Sequence, residues 1–224
     1  MILPSDPVRE VLYAIGLFIY IVFLIWFTRK LFKFMVGRGM RENVAVYYNR
    51  KIIHMGAGGV VALLTPFIFS SPLIPTLFAL AIALILYLPH RSRKLLGWFQ
   101  TSENAFEVNF AIAWGLSLFF VWILTSNPFY AVIPPLFISF GDAVTGIIRN
   151  GLYGRRTKSW YGNLGMLFTT IPIGFILAGY PGVVAAIVSS IVEHYEFPPY
   201  IDDNVLITLA SSLILISSKI LLGV

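Results

Sequence analysis

The sequence predicts an all-α fold: a polytopic transmembrane helix bundle of about eight spans, with both termini on the non-cytoplasmic side. Three observations carry that prediction. The 224 residues are 58% hydrophobic and only 12% charged, whereas soluble domains devote about a quarter of their residues to charge. Apolar runs approaching the roughly 20 residues that cross a bilayer as a helix recur along the whole chain. Counting those runs as eight places nearly all the intervening cations on one side. No internal repeat or low-complexity segment interrupts the pattern, so residues 1–224 read as a single transmembrane domain.

The first span is expected at about 11–28. Asp6, Arg9 and Glu10 precede it and a basic cluster follows, with no small-residue cleavage site, so it reads as a span and not as a cleavable signal peptide. A long basic loop, 29–51, leads to the second span at 52–70, and Ser71-Pro72 turns the chain into the third at 73–89. Spans four and five are expected at 105–125 and 129–148. Spans six and seven, 163–180 and 181–197, meet at Tyr180-Pro181-Gly182, as a tight hairpin or a partly re-entrant pair. The eighth runs from 204 to 222.

Fourteen of the 16 Lys and Arg residues then lie between spans one and two, three and four, or five and six; Arg9 and Lys219 are the exceptions. The positive-inside rule makes that face cytoplasmic. The net charge of +6 thus reports orientation, and no nucleic-acid partner is expected. Eight of the ten acids sit at the same helix ends, so chemistry is expected at the cytoplasmic membrane boundary. The absence of cysteine excludes disulfides, thiolate nucleophiles and Cys-ligated metals.

Three stretches concentrate polar chemistry. In "GDAVTGIIRNGLYGRRTKSWYGNLG", Asp142 ends an apolar span, where a carboxylate is costly without a cavity or partner. Gly141, Gly146, Gly151 and Gly154 lead to Arg155, Arg156 and Lys158. Glycines admit close backbone approach and arginine forks bind phosphate oxygens, so an acid for Mg²⁺ beside these groups would suit a triphosphate. A positive-inside loop with small residues for helix packing is the competing account. In "NRKIIHMGAGG", Arg50 and Lys51 precede a span and His54 lies one turn into it, as phosphate contacts and a proton acceptor or as interfacial residues. In "VEHYEFPPYIDDN", Glu193, Asp202, Asp203 and Asn204 offer oxygen ligands for Mg²⁺, or plain helix caps. Glu103 and Glu107 are expected on one helical face opening span four, countering the basic loops. His90 and His194 are expected only to decorate the interface.

These three stretches, about a fifth of the chain and in matching order, resemble the integral-membrane, CTP-dependent lipid kinases: dolichol, polyprenol, phytol and farnesol kinases, relatives of the CDP-diacylglycerol synthases. The matching positions are Arg50, Lys51, His54 and Gly58; Gly141, Asp142, Gly154, Arg155, Lys158, Ser159 and Gly162; and Glu193, Asp202, Asp203 and Asn204. The chain departs from the family pattern at Tyr161, where a Glu is usual, and at Asn163, where a Ser is usual; Asp142, Glu107 or Asp203 would then substitute for that Glu.

The resemblance implies transfer of the γ-phosphoryl group of CTP to the hydroxyl of a polyisoprenoid alcohol, with Mg²⁺ as cofactor and an active site facing the cytoplasm. It implies Asp142, His54 and Lys158 as catalytic residues. Arg50, Lys51, Gly141, Gly154, Arg155, Arg156, Ser159 and Gly162 would bind the nucleotide. Asp142, Asp203 and Glu193 would hold the metal, with Glu107, Asp202 and Asn204 as further candidates. A cytidylyltransferase and a catalytically silent lipid- or nucleotide-binding protein are the alternatives, and a homo-oligomer stays open. Charge gathered at one face, not at the midplane, counts against a transporter.

Overall fold

The computed structural model describes residues 2–154, 157–195, 197 and 201–223. Among them, helices account for nearly all regular structure, with only two isolated bridges, Thr101 to Asn104 and Phe197 to Ile201. The molecule is an all-α polytopic bundle, and among the described residues seven helices are long and apolar enough to cross a membrane.

Helix α1 (Pro7–Gly37) starts where Asp6 caps it by accepting from the Arg9 amide at 3.1 Å, with Pro7 pre-set for the first turn. It runs on through Arg29, Lys30 and Lys33, so most of the expected basic loop is helix. The reason is that its long side chains favour helix and snorkel: Lys30 lies over the Trp26 ring at 3.9 Å and Arg29 over Trp98 at 5.3 Å. Only residues 38–41 break the chain before α2 (Glu42–Ile53). Asn49 pins the junction by donating to the carbonyls of Thr28 (2.9 Å) and Trp98 (3.0 Å).

The second span is α2 followed by a π-helical turn, His54–Gly59, and α3 (Val60–Ile68). The fifth is a broken rod: α6 (Pro128–Ala131), α7 (Ile133–Leu136), a second π-helical turn at Phe137–Gly141, and α8 (Asp142–Tyr153). Pro128, Pro134 and Pro135 fragment its first half by removing amide donors. This rod is the most buried span and α1 the least. The two π turns pack on each other. A Cβ on Gly58 would meet Ser139 Oγ at 2.6 Å, and one on Gly59 would meet the Phe140 ring at 2.5 Å. Carbonyls shifted by the first π turn find donors in the Tyr20 hydroxyl (to Gly56) and the Trp114 indole N–H (to Gly58), each at 3.1 Å.

Helices α4 (Leu73–Ser92) and α5 (Phe106–Thr125) form one hairpin, and α9 (Trp160–Ala178) and α10 (Tyr180–Val192) another. The second turns at Gly179, whose φ of +61° favours glycine, one residue before the expected Tyr180-Pro181-Gly182 turn. With 13 residues, α10 spans about 20 Å against a hydrocarbon core of about 30 Å. The eight expected spans are therefore seven long helices and one short one. The seventh stops at Val192 because Glu193 and His194 turn toward polar partners. It still returns the chain: Gly174 and Gly182 touch backbone to backbone near the Gly179 turn, whereas Asn163 and Glu193 meet at the opposite end. Helix α11 (Asp203–Leu222) closes the bundle. At the far end Glu10 accepts from the Ser70 amide (3.0 Å) and hydroxyl (2.5 Å).

The Gly174–Gly182 contact leaves no room for a Cβ on either residue. Gly182→Ala should lower stability by about 1–3 kcal/mol, because backbone and not a flexible side chain must move. Gly16→Ala, which meets nothing within 4 Å, should stay within about 0.5 kcal/mol of the parent. Thermal midpoints in one detergent check the pair; equal midpoints would remove the contact from the account of the hairpin.

Candidate functional site

Five segments deliver charge to one cavity of about 160 Å³, one of them the turn before α5, which brings Glu103. Helix α2 presents Asn43, Tyr47, Arg50 and His54, spaced three or four residues apart so that they share a face, with Lys51 beside Arg50 and four residues after Tyr47. Helix α8 presents Asp142 and Arg149, the segment before α9 presents Thr157 and Lys158, and the turn from α10 to α11 presents Glu193, Asp203 and Asn204.

Asp142, Glu193 and Asp203 each meet a cation. Lys51 Nζ donates to Asp142 Oδ2 at 2.6 Å, and both side chains are almost fully buried. Arg149 forks onto Glu193 with both bonds at 2.7 Å, the bidentate geometry that makes a charged hydrogen bond strong. Lys158 Nζ donates to Asp203 Oδ2 at 3.0 Å and to the Glu193 backbone carbonyl at 2.7 Å. His54 Nδ1 stands 3.6 Å from Asp142 Oδ2, outside hydrogen-bond range, and its ring stacks on Phe110 at 4.0 Å. Glycines let these groups approach. A Cβ on Gly146 would collide with Tyr47 and Lys51, and one on Gly162 with Arg149. Gly141 packs against Thr170 and Met166, and Gly154 ends α8 with φ +63°.

Oxygens of Asp142, Glu193 and Asp203 all lie within 4.8 Å of one another. Ligands on opposite sides of Mg²⁺ stand about 4 Å apart, at about 2.1 Å each from the ion. Three ligands include at most one opposite pair, and adjacent ligands stand about 3 Å apart, so holding one such ion asks the carboxylates to close by up to about 2 Å. Lys51 and Lys158 occupy lone pairs that the ion would need, so binding it would free both ammonium groups.

The other candidates sort by position. Arg50 lines the cavity, with its guanidinium 5.1 Å from the Phe106 ring centre. The Ser159 carbonyl accepts from Arg149 Nε at 2.9 Å, and its hydroxyl is buried without a partner. Arg155 and Arg156 lie outside the described residues. Asp202 is a helix cap, accepting from the Val205 amide (3.1 Å), Asn109 (3.1 Å) and Asn204 (3.3 Å). Burial, with the Asp203 charge beside it, pushes its carboxyl up to about 6.

Glu103 and Glu107 do not share a helical face. Helix α5 begins only at Phe106, and Glu103 sits in the turn closed by Thr101 and Asn104. Glu107 is also no stand-in for the family's Glu. It accepts from His90 Nε2 at 2.6 Å and Gln100 Nε2 at 2.9 Å, beside a different cavity. His90 thus has a charged partner, and His194 stacks on Trp160 at 4.1 Å. Tyr161 points outward, whereas Asn163 accepts from Arg149 Nη2 at 2.8 Å and donates to Glu193 Oε2 at 3.1 Å.

Sequence reasoning missed Arg149, counted only as a topological cation, and Asn163, seen only as a departure from the family pattern. Helical spacing held a signal for the first: Asp142, Thr145 and Arg149 fall on one face at i, i+3 and i+7. Fold and cavity together define a polytopic all-α membrane protein with a buried charged site. Comparison with protein-family models, curated proteins and solved structures returns no match to the chain.

Proposed function

We propose that the protein is a membrane lipid kinase that moves the γ-phosphoryl group of a nucleoside triphosphate, CTP by the resemblance, to the hydroxyl of a polyisoprenoid alcohol at the cytoplasmic face. One observation carries the reading. Three carboxylates and the cations Lys51, Arg149 and Lys158 converge on a cavity whose His54 wall also borders an apolar slot. A phosphate tail needs the first environment and an isoprenoid chain the second.

Phosphoryl transfer asks mainly for positioning and charge neutralisation. The carboxylates and cations balance as they stand, so an incoming triphosphate requires further positive charge. Mg²⁺ on Asp142, Glu193 and Asp203 would supply part of it and draw charge from the phosphate oxygens. Lys51 and Lys158, released from their carboxylates, would exchange onto phosphate, and Arg50 would add a third contact. Arg149 stays on Glu193 and holds that carboxylate in place. His54 accepts the alcohol proton as the alcohol oxygen bonds to the γ-phosphorus and the bond to the β-phosphate oxygen breaks. The products are the lipid monophosphate and the nucleoside diphosphate.

Purified protein supplied with a prenol and either γ-labelled or α-labelled CTP tests this. The lipid is expected to acquire the γ label only, and chelation of Mg²⁺ is expected to stop the transfer. Lipid carrying the α label would identify a cytidylyltransferase. Nucleotide binding with no label on the lipid would identify a silent homologue.

A further inference from the structure

The slot beyond His54 is a separate cavity of about 100 Å³, lined by α1, the π turn at His54–Gly59 with α3, α4 and α5. Its walls are apolar apart from the Trp114 indole, satisfied by the Gly58 carbonyl, and two residues at the end nearest the charged cavity, His54 and Glu107. Both are buried, and both keep polar atoms without a partner: Glu107 Oε2 and the two ring nitrogens of His54. An unpaired acceptor in an apolar wall costs about 1–3 kcal/mol. Glu107 is fixed in this position by His90 and Gln100, which bind only its other oxygen. The arrangement leaves one fixed acceptor, buried and unpartnered, in the wall of the apolar slot.

Resting on the kinase reading, we propose that this slot seats the chain of a single-chain isoprenoid alcohol, whose hydroxyl donates to Glu107 Oε2 in the nucleotide-free complex and turns to His54 only for the transfer. Lining residues run from Ala14 to Ile25 on α1 and from Pro75 to Leu86 on α4, a rise of about 16 Å on each. At about 1.3 Å per carbon of an extended chain, that length holds roughly a dozen carbons, or three isoprene units. Longer prenols would extend past Ala14 and Pro75 toward the opposite leaflet. A cavity of about 100 Å³ has room for one chain and not two, so the slot selects one chain with a terminal hydroxyl.

The test is photo-crosslinking of purified protein in detergent, without nucleotide, by a geranylgeraniol analogue bearing a diazirine near the chain's middle. Adducts are expected on the slot walls, at Phe18, Ala79 or Ala111. Free geranylgeraniol should compete about tenfold better than its methyl ether, which cannot donate a hydrogen bond. Glu107→Leu should bring that ratio to about one while labelling persists. Ala79→Trp, which fills the slot, should abolish labelling while Mg²⁺-dependent CTP binding persists. Should that variant fail to assemble, Ala57→Leu fills the facing wall, and adduct mapping in the parent protein needs no variant. Adducts confined to outward residues such as Phe168 and Ile176, or an unchanged competition ratio in Glu107→Leu, overturn the proposal. Slot labelling without any CTP-dependent transfer would leave the slot standing and remove the kinase; transfer without slot labelling would do the reverse.

Discussion

If the proposed kinase activity holds, Asp142→Asn should lower transfer of the γ-phosphoryl group from CTP to a prenol by about a thousandfold or more, the scale seen when one charge is lost from a phosphoryl-transfer site. The substitution keeps the shape of the side chain and removes its charge. It takes away one of the three clustered carboxylates and the group that holds Lys51 Nζ at 2.6 Å. The measurement must separate chemistry from assembly, because Lys51 then sits buried without its counter-charge. Adding Lys51→Met removes that stranded ammonium and should restore the thermal midpoint while activity stays absent. Parent-like turnover by Asp142→Asn would exclude the acid from the reaction.

Glu193→Ala should cost about 3–5 kcal/mol, the usual penalty for breaking a buried ion pair from one side. The loss is large because Arg149 is buried, with its side chain 4% exposed, and both Glu193 oxygens accept from it. Burial also pushes the Glu193 carboxyl upward, against the downward pull of Lys158 and Arg149. Its contribution therefore depends on those cations staying in place. Removing both partners, as Arg149→Met with Glu193→Leu, should recover most of the stability, since well-packed apolar residues often replace a buried pair at little cost. Thermal midpoints of the two singles and the double form the cycle. A parent-like midpoint for Glu193→Ala would show that the pair contributes nothing to the fold.

The apolar segments were legible because hydropathy reports the solvent directly: a run that lacks charge over some 20 residues has few alternatives to a spanning helix. Helix ends were less legible. The chain from Arg29 to Gly37 is basic and reads as a loop, yet it stays helical because Lys and Arg are good helix formers that snorkel to water. The short α10 misled in the other direction, since Glu193 looks like the end of a longer span until Arg149 and Lys158 are seen to hold it in a turn.

Within the site, the residue types were readable and their pairings were not. Asp142, Lys51, Lys158 and Glu193 stand out as charges at the edges of apolar segments. Nothing in their order says that Lys51 reaches Asp142 across 91 positions, or that Arg149 turns inward to Glu193. The π turns at 54–59 and 137–141 were equally hidden, because one extra residue in a helical turn leaves no compositional mark.

By itself the sequence determined that this is a membrane-spanning helical protein whose charge gathers at a common set of helix ends, because transfer into lipid is a property each segment has on its own. Tertiary structure alone decided which acid faces which base, that Asp202 caps a helix while Asp203 enters the cavity, and that His54 forms the wall between a charged chamber and an apolar slot. Those outcomes depend on the rotation and axial offset of each helix against its neighbours. Both are set by packing, and no single segment encodes them.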